Sequence, residues 1–234
     1  MLLKRKFIIL FSLLIGICII SAITANQTKY LPVSVKIQDH PQIILDAGHG
    51  GFDGGAVAED GTVEKDINLA ICLALRNMLI QNGYEVIMTR ESDISTDDVE
   101  NDRITVRKKS DLKKRLELMD EYPDAVFVSI HLNKFTTSAA SGSQVFYSGK
   151  DINSKTLGDL IQSSVIRLLQ PENNRVNKKA TSSTYILHNA TIPAVLVECG
   201  FLSNGRELQK LKDAKYQKEM AFSIFCGINE YFQN

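Results

Sequence analysis

Three apolar runs in this chain each stop on a side chain that can do chemistry, and this restricts the fold to a few choices. Ile43-Ile44-Leu45-Asp46-Ala47 runs into Gly48-His49-Gly50-Gly51-Phe52-Asp53-Gly54-Gly55. Ala125 to Leu132 is apolar until Ser129 and His131, and Ala194-Val195-Leu196-Val197 ends at Glu198. Val, Ile and Leu ahead of such a stop read as buried strands entering loops. In α/β sheets, ligand sites gather at the carboxyl ends of strands. The five glycines between positions 48 and 55 let the backbone turn sharply and pass close to whatever His49 holds.

The spacing of apolar residues around these runs alternates strand and helix. Strands are expected at Gln42 to Ala47, Tyr84 to Thr89, Ala125 to Leu132, Gln144 to Tyr147 and Ala194 to Cys199, with a weak one at Ser183 to Leu187. Helices are expected at Glu64 to Asn82, Asp111 to Glu121, Leu157 to Leu169 and Tyr216 to Phe232, and Ser92 to Ser110 reads as a long loop. The pattern predicts an α/β fold: a single domain with a mostly parallel central sheet flanked by helices on both faces. That domain spans residues 42–234, long enough to bury a proper core.

An N-terminal hydrophobic segment precedes it. Lys4, Arg5 and Lys6 lead into an apolar stretch from Phe7 to Ile23, the layout of a secretory signal or a membrane anchor over residues 1–25. Ile23-Thr24-Ala25 leaves cleavage and retention both open, and Ile17 before Cys18 argues against a lipoprotein. Residues 26–41 read as a connector. The positive flank places the remainder outside the cytoplasm. The formal net charge is zero, which excludes the basic footprint of a nucleic-acid binder. Cys72, Cys199 and Cys226 sit in apolar runs with no C-x-x-C pair, so they read as buried thiols.

His49, His131, Glu198 and Glu64, the last at a helix start, form the candidate constellation. Two imidazoles and one carboxylate are the protein ligands of a catalytic zinc site, and a second carboxylate can take a proton from water. Each residue also has a plain structural explanation. Glu64 would suit the positive end of a helix dipole, and His131 could be a satisfied core histidine. Glu198 is harder to place so, because a glutamate inside an apolar strand is rarely buried without a partner. No dinucleotide fingerprint, P-loop lysine or nucleophile elbow occurs. His188 could border a site or lie on the surface. The basic cluster Arg103, Arg107, Lys108, Lys109, Lys113, Lys114 and Arg115 reads as a solvated face, or one that meets an anionic polymer.

The chain resembles the zinc-dependent N-acetylmuramoyl-L-alanine amidases of bacterial cell walls, the amidase_3 family, from about Gln42 to Phe232. The resemblance rests on Leu45-Asp46-Ala47-Gly48-His49-Gly50-Gly51, Glu64-Lys65-Asp66-Ile67-Asn68-Leu69, Ser129-Ile130-His131-Leu132-Asn133 and Val195-Leu196-Val197-Glu198-Cys199-Gly200-Phe201-Leu202-Ser203-Asn204. It implies that His49, Glu64 and His131 bind one Zn2+ per chain and that Glu198 is the catalytic glutamate. It also implies peptidoglycan as substrate, cut at the amide between N-acetylmuramic acid and L-alanine. Ala47 stands where the family commonly has proline, and Asp120 where asparagine is common. The stretch from Asn133 to Gln144 is too short for the self-blocking helix of some members, so an accessory protein becomes one expected means of control. Within the family the chain is most similar to the spore-cortex, CwlD-type amidases, which implies a role in muramic δ-lactam formation and germination. Asp46, Arg115 and Asn133 are candidates for supporting the ligands or meeting substrate. Another wall-directed zinc peptidase or deacetylase, and a non-catalytic wall-binding protein, are the alternative functions.

Overall fold

The computed structural model describes residues 40–100 and 102–233. The expected leader, Cys18 and nearly all of the connector lie outside the described residues. Among those described, no helix is long and apolar enough to cross a membrane. They form a six-stranded sheet ordered β2-β1-β3-β6-β4-β5. Its strands are β1 (Gln42–Ala47), β2 (Glu85–Met88), β3 (Val126–Asn133), β4 (Gln144–Tyr147), β5 (Lys178–Lys179) and β6 (Ala194–Phe201). The helices are α1 (Glu64–Gln81), α2 (Ile104–Glu121), α3 (Ile152–Leu168), α4 (Tyr185–Asn189), α5 (Gly205–Lys212) and α6 (Ala214–Gln233). β2, β1, β3 and β6 are parallel neighbours, whereas β4 runs antiparallel to β6. The sheet is therefore mixed.

Parallel strands covered on both faces need apolar residues at successive positions, and the central strands supply them. Ile43, Leu45, Val126, Val128, Ile130, Val195 and Val197 face one core with Ile67, Ile71 and Leu75 of α1, Leu157, Ile161 and Val165 of α3, and Met220, Ile224 and Ile228 of α6. Ile44, Phe127, Ala194 and Leu196 face the other with Met119 of α2 and Ile186 and Leu187 of α4. Helices thus cover both faces. α3 and α6 pack so closely that a Cβ on Gly227 would lie 2.5 Å from the Ile161 Cα.

Several elements depart from the pattern read in the sequence. α2 begins at Ile104, inside the stretch expected to be loop. Its buried residues are only Asp111, Arg115 and Met119, so its first two turns carry no apolar periodicity. Those turns are held instead by ion pairs of Arg107 with Asp97 (2.8 Å) and Lys108 with Asp53 (2.8 Å). Ser183 to Leu187 is not a strand: Tyr185–Asn189 is helical, and its adjacent buried Ile186 and Leu187 imitate a short strand. α3 starts earlier than expected, where Asp151 accepts from the Asn153 N–H at 2.7 Å. The short β5 and α5 were not expected. α5 is started by Asn204, whose side chain accepts from the N–H groups of Arg206 and Glu207.

Candidate metal centre

The parallel register fixes which strand ends meet. Ala47 lies opposite Ile130, and His131 lies opposite Glu198. The Gly48 N–H still bonds Ile130 O at 3.1 Å, and the chain then turns away through His49 at φ 63°, a left-handed conformation uncommon outside glycine. Such conformations persist where surrounding contacts impose them. Here Arg115 donates through Nη2 to His49 O at 2.8 Å, and Arg90 donates to Ala47 O at 2.9 Å and Gly48 O at 3.1 Å.

This turn carries His49 over the start of α1. Glu64 Oε1 lies 3.3 Å from His49 Nε2 and 3.0 Å from His131 Nδ1. One potential ligand atom from each of His49, Glu64 and His131 lies within 4.8 Å of the others. Two ring nitrogens and a carboxylate oxygen are a donor set suited to zinc, and three protein donors leave a fourth position open. The glycines make the grouping sterically feasible. A Cβ on Gly48 would lie 2.3 Å from the His131 ring, and one on Gly55 would lie 2.6 Å from both Glu64 Oε2 and His49 Cδ2. The residues present therefore fit a metal ion.

Further contacts hold these groups in place. His49 Nδ1 meets Asp53 Oδ2 at 2.9 Å, which turns Nε2 toward Glu64, and Lys108 holds the other Asp53 oxygen at 2.8 Å. Glu64 accepts from the N–H groups of Leu132 (3.0 Å) and Ala56 (2.8 Å), and from Asn68 Nδ2 (3.2 Å). Beneath the site Asp46 pairs with the Arg115 guanidinium and accepts from Ser129 at 2.5 Å and Thr89 at 2.9 Å. Arg115 also pairs with Asp111 at 2.7 Å. Orienting contacts of this kind fix ligand geometry.

Burial alone would raise the Glu64 carboxyl, but the two imidazoles outweigh it and hold it far below the usual carboxylate range. Burial alone would likewise lower His49, but Asp53 and Glu64 outweigh it and raise its pKa to about 9. At Asp46, Arg115 leads the groups that overcome burial and lower the pKa. Glu198 behaves differently. It is half-buried, and its Oε2 is buried with no hydrogen-bond partner among the described residues. Burial, opposed by His131 and reinforced by the Glu64 carboxylate, pushes its pKa up to about 7.

The structure thus brings together His49, Glu64 and His131, with Glu198 on the adjoining strand. It leaves His188 exposed at the end of α4 and outside the group. Asp46 and Arg115 lie buried beneath the site, and Asn133 ends β3 at an irregularity in the β3–β6 register. Asn68, Arg90, Asp53 and Lys108 were not singled out as supports in the sequence. Only Asn68 offered a local signal, since it follows Glu64 by four residues and so shares its helix face.

Comparison with known proteins identifies the family. The Amidase_3 family, N-acetylmuramoyl-L-alanine amidase, matches residues 43–230. The germination-specific N-acetylmuramoyl-L-alanine amidase of Bacillus subtilis (strain 168) is 40% identical over 202 residues, covering 86% of this chain and 82% of that relative. The structure of the CwlD amidase from Clostridioides difficile, in complex with the GerS lipoprotein, is 43% identical, with a TM-score of 0.80 over 83% of this chain and 99% of that one. AmiC2 of Nostoc punctiforme, an N-acetylmuramoyl-L-alanine amidase, is 28% identical, with a TM-score of 0.70 over 83% of this chain and 98% of that one. The chain belongs to the N-acetylmuramoyl-L-alanine amidase family of peptidoglycan hydrolases, and its likeness within that family is to the CwlD-type amidases.

Proposed function

We propose that this amidase is zinc-dependent, with His49, Glu64 and His131 as metal ligands and Glu198 as the catalytic glutamate, and that it acts in the spore cortex. The observation that carries the reading is the meeting of two imidazole nitrogens on Glu64 Oε1, at 3.3 and 3.0 Å, beside a carboxylate that has no partner for its Oε2. Zinc held there would supply Lewis acidity, polarising the amide carbonyl and bringing the pKa of water toward about 7. Glu198 accepts the proton of the attacking water as the water oxygen joins the lactyl carbonyl carbon. It then delivers that proton to the alanine nitrogen as the carbon–nitrogen bond breaks. A carboxyl with a pKa near 7 suits both halves of this transfer. Asp53 keeps the His49 ring turned so that Nε2 faces the ligand group, and Asn68 braces Glu64.

The assignment to spore cortex, and to the removal of stem peptides ahead of muramic δ-lactam formation, rests on likeness to the germination-specific relative. Residues 1–25 act as a signal or anchor in this reading, residues 26–41 as a connector and residues 42–234 as the catalytic domain outside the membrane. The complex of the Clostridioides difficile CwlD amidase with a lipoprotein supports an accessory partner here too. Mass spectrometry of defined muropeptides incubated with the purified protein tests the reaction. Free stem peptides beginning with L-alanine are expected. Loss of acetyl groups, or cuts within the peptide, would instead identify a deacetylase or a peptidase.

A further inference from the structure

We propose that the cavity lined by Arg175, Arg206 and Lys210 is a subsite for the acidic stem peptide beyond its first L-alanine; this rests on the amidase reading above. The cavity measures about 710 Å³ and lies between the β3–β4 connection, the α3–β5 connection and α5. That size falls within the range of about 300 to 1,000 Å³ typical of ligand pockets. Its walls are braced. Asn204 Nδ2 donates to Ser138 O (3.0 Å) and Ala140 O (3.2 Å), and Asn173 Nδ2 donates to Ser143 O (2.9 Å). Glu207 accepts from the N–H groups of Gly142 and Phe201, each at 2.8 Å. The cavity is therefore formed before any ligand arrives.

Its position ties it to the reaction. Gln144 lies opposite Glu198 in the sheet register, and Arg175, which lines the cavity, donates through Nη1 to Gln144 Oε1 at 2.9 Å. A cation thus bonds the side chain of the residue that pairs with Glu198 across the β4–β6 ladder. The stem peptide has to leave Glu198 across the neighbouring surface.

Its charge specifies the ligand. Arg206 and Lys210 both line the cavity from successive turns of α5 and are exposed. Among the described residues neither side chain has a hydrogen-bond or ion-pair partner. Like charges four residues apart on a helix repel, and an anion between them would remove that cost. The Glu207 carboxylate is already engaged by two backbone N–H groups, which leaves Glu172 as the other acidic group on the rim. The free cations and the lining amide of Asn174 match a peptide that carries several carboxylates. The proton transfer assigned to Glu198 uses none of these residues.

The test compares two substrates with the full-length protein and its R206E/K210E variant. The two changes are exposed and lie outside the metal centre. One substrate is N-acetylmuramoyl-L-alanine, which ends at the first residue; the other carries a tetrapeptide stem. The expected result is a loss of roughly tenfold in kcat/KM on the tetrapeptide substrate, carried by KM, with turnover of the short substrate unchanged. Equal losses on both substrates, or none on either, would overturn the proposal. A second arm titrates the free acidic stem peptide into metal-free protein by NMR, which needs no hydrolysis. If the unaltered protein cleaves neither substrate, the amidase reading fails and the titration alone judges the cavity. Peptide binding lost in R206E/K210E then sustains the subsite, and no binding to the unaltered protein overturns it.

Discussion

Metal uptake by this site should be coupled to release of a proton from His49. Asp53 at 2.9 Å and Glu64 at 3.3 Å both favour the imidazolium, and they overcome burial to raise the metal-free pKa to about 9. A ligand histidine must be neutral. The sign follows directly: below pH 9 the proton competes with the metal, so apparent affinity rises with pH until about 9 and then levels. From pH 7 to the plateau above pH 9 the expected gain is about 100-fold, or about 2.7 kcal/mol from two pKa units, and about half of that factor is reached by pH 9 itself. Chelator competition, corrected for the chelator's own protonation, measures the slope; calorimetry in buffers of different ionisation enthalpy counts the proton. The metal-free protein gives an independent check. Because the folded pKa lies above the unfolded value of about 6.5, the stability this proton confers is complete below pH 6.5 and is lost as pH rises through 9. Asp53→Asn should move both transitions to lower pH and, above them, weaken zinc binding by about 10- to 100-fold. An apparent zinc affinity that is flat from pH 7 to 9 would mean that no His49 proton competes with the metal.

Glu198→Gln should retain zinc while losing turnover by roughly 10²-fold or more, whereas His131→Ala should lose the metal itself; elemental analysis beside muropeptide turnover separates the two roles. The same Glu198→Gln change should raise the melting temperature of the metal-free protein at pH 8 but not at pH 4, because a carboxyl whose folded pKa is raised to about 7 destabilises the fold only as it ionises. Arg115→Met removes the partner of an Asp46 carboxylate that is 1% exposed, so it should cost about 3–5 kcal/mol in denaturant unfolding. Gly55→Ala places a Cβ 2.6 Å from Glu64 Oε2 at φ 70°; it should cost at least about 1–2 kcal/mol for the left-handed backbone alone and weaken metal uptake measured by chelator competition.

What the sequence disclosed, and what it hid, divide along the kind of force involved. His49, His131 and Glu198 stood out because each ends an apolar run, and burial between two helical layers makes such runs nearly continuous. The strand ends and the parallel core followed from that one signal. The proposed division of labour between Glu64 and Glu198 came only from the family resemblance, not from the residue pattern. Both are glutamates, and each could hold metal or move a proton. What supports that division is Glu64 Oε1 standing 3.0 Å from His131 Nδ1 while Glu198 Oε2 has no partner among the described residues, a difference that the assembled register creates. The first two turns of α2 were hidden for a related reason. Arg107 and Lys108 find Asp97 and Asp53 across space, and ion pairs impose no helical period on the sequence around them. The basic stretch that reads as a solvated face therefore reaches the site at two points. Lys108 holds the carboxylate that orients His49, and Arg115 holds the carbonyl of His49 itself. Charges that look interchangeable along the chain become distinct once α2 lies against the end of β1. A Lys108 substitution should accordingly disturb metal uptake far more than the same change at Lys109, its exposed neighbour.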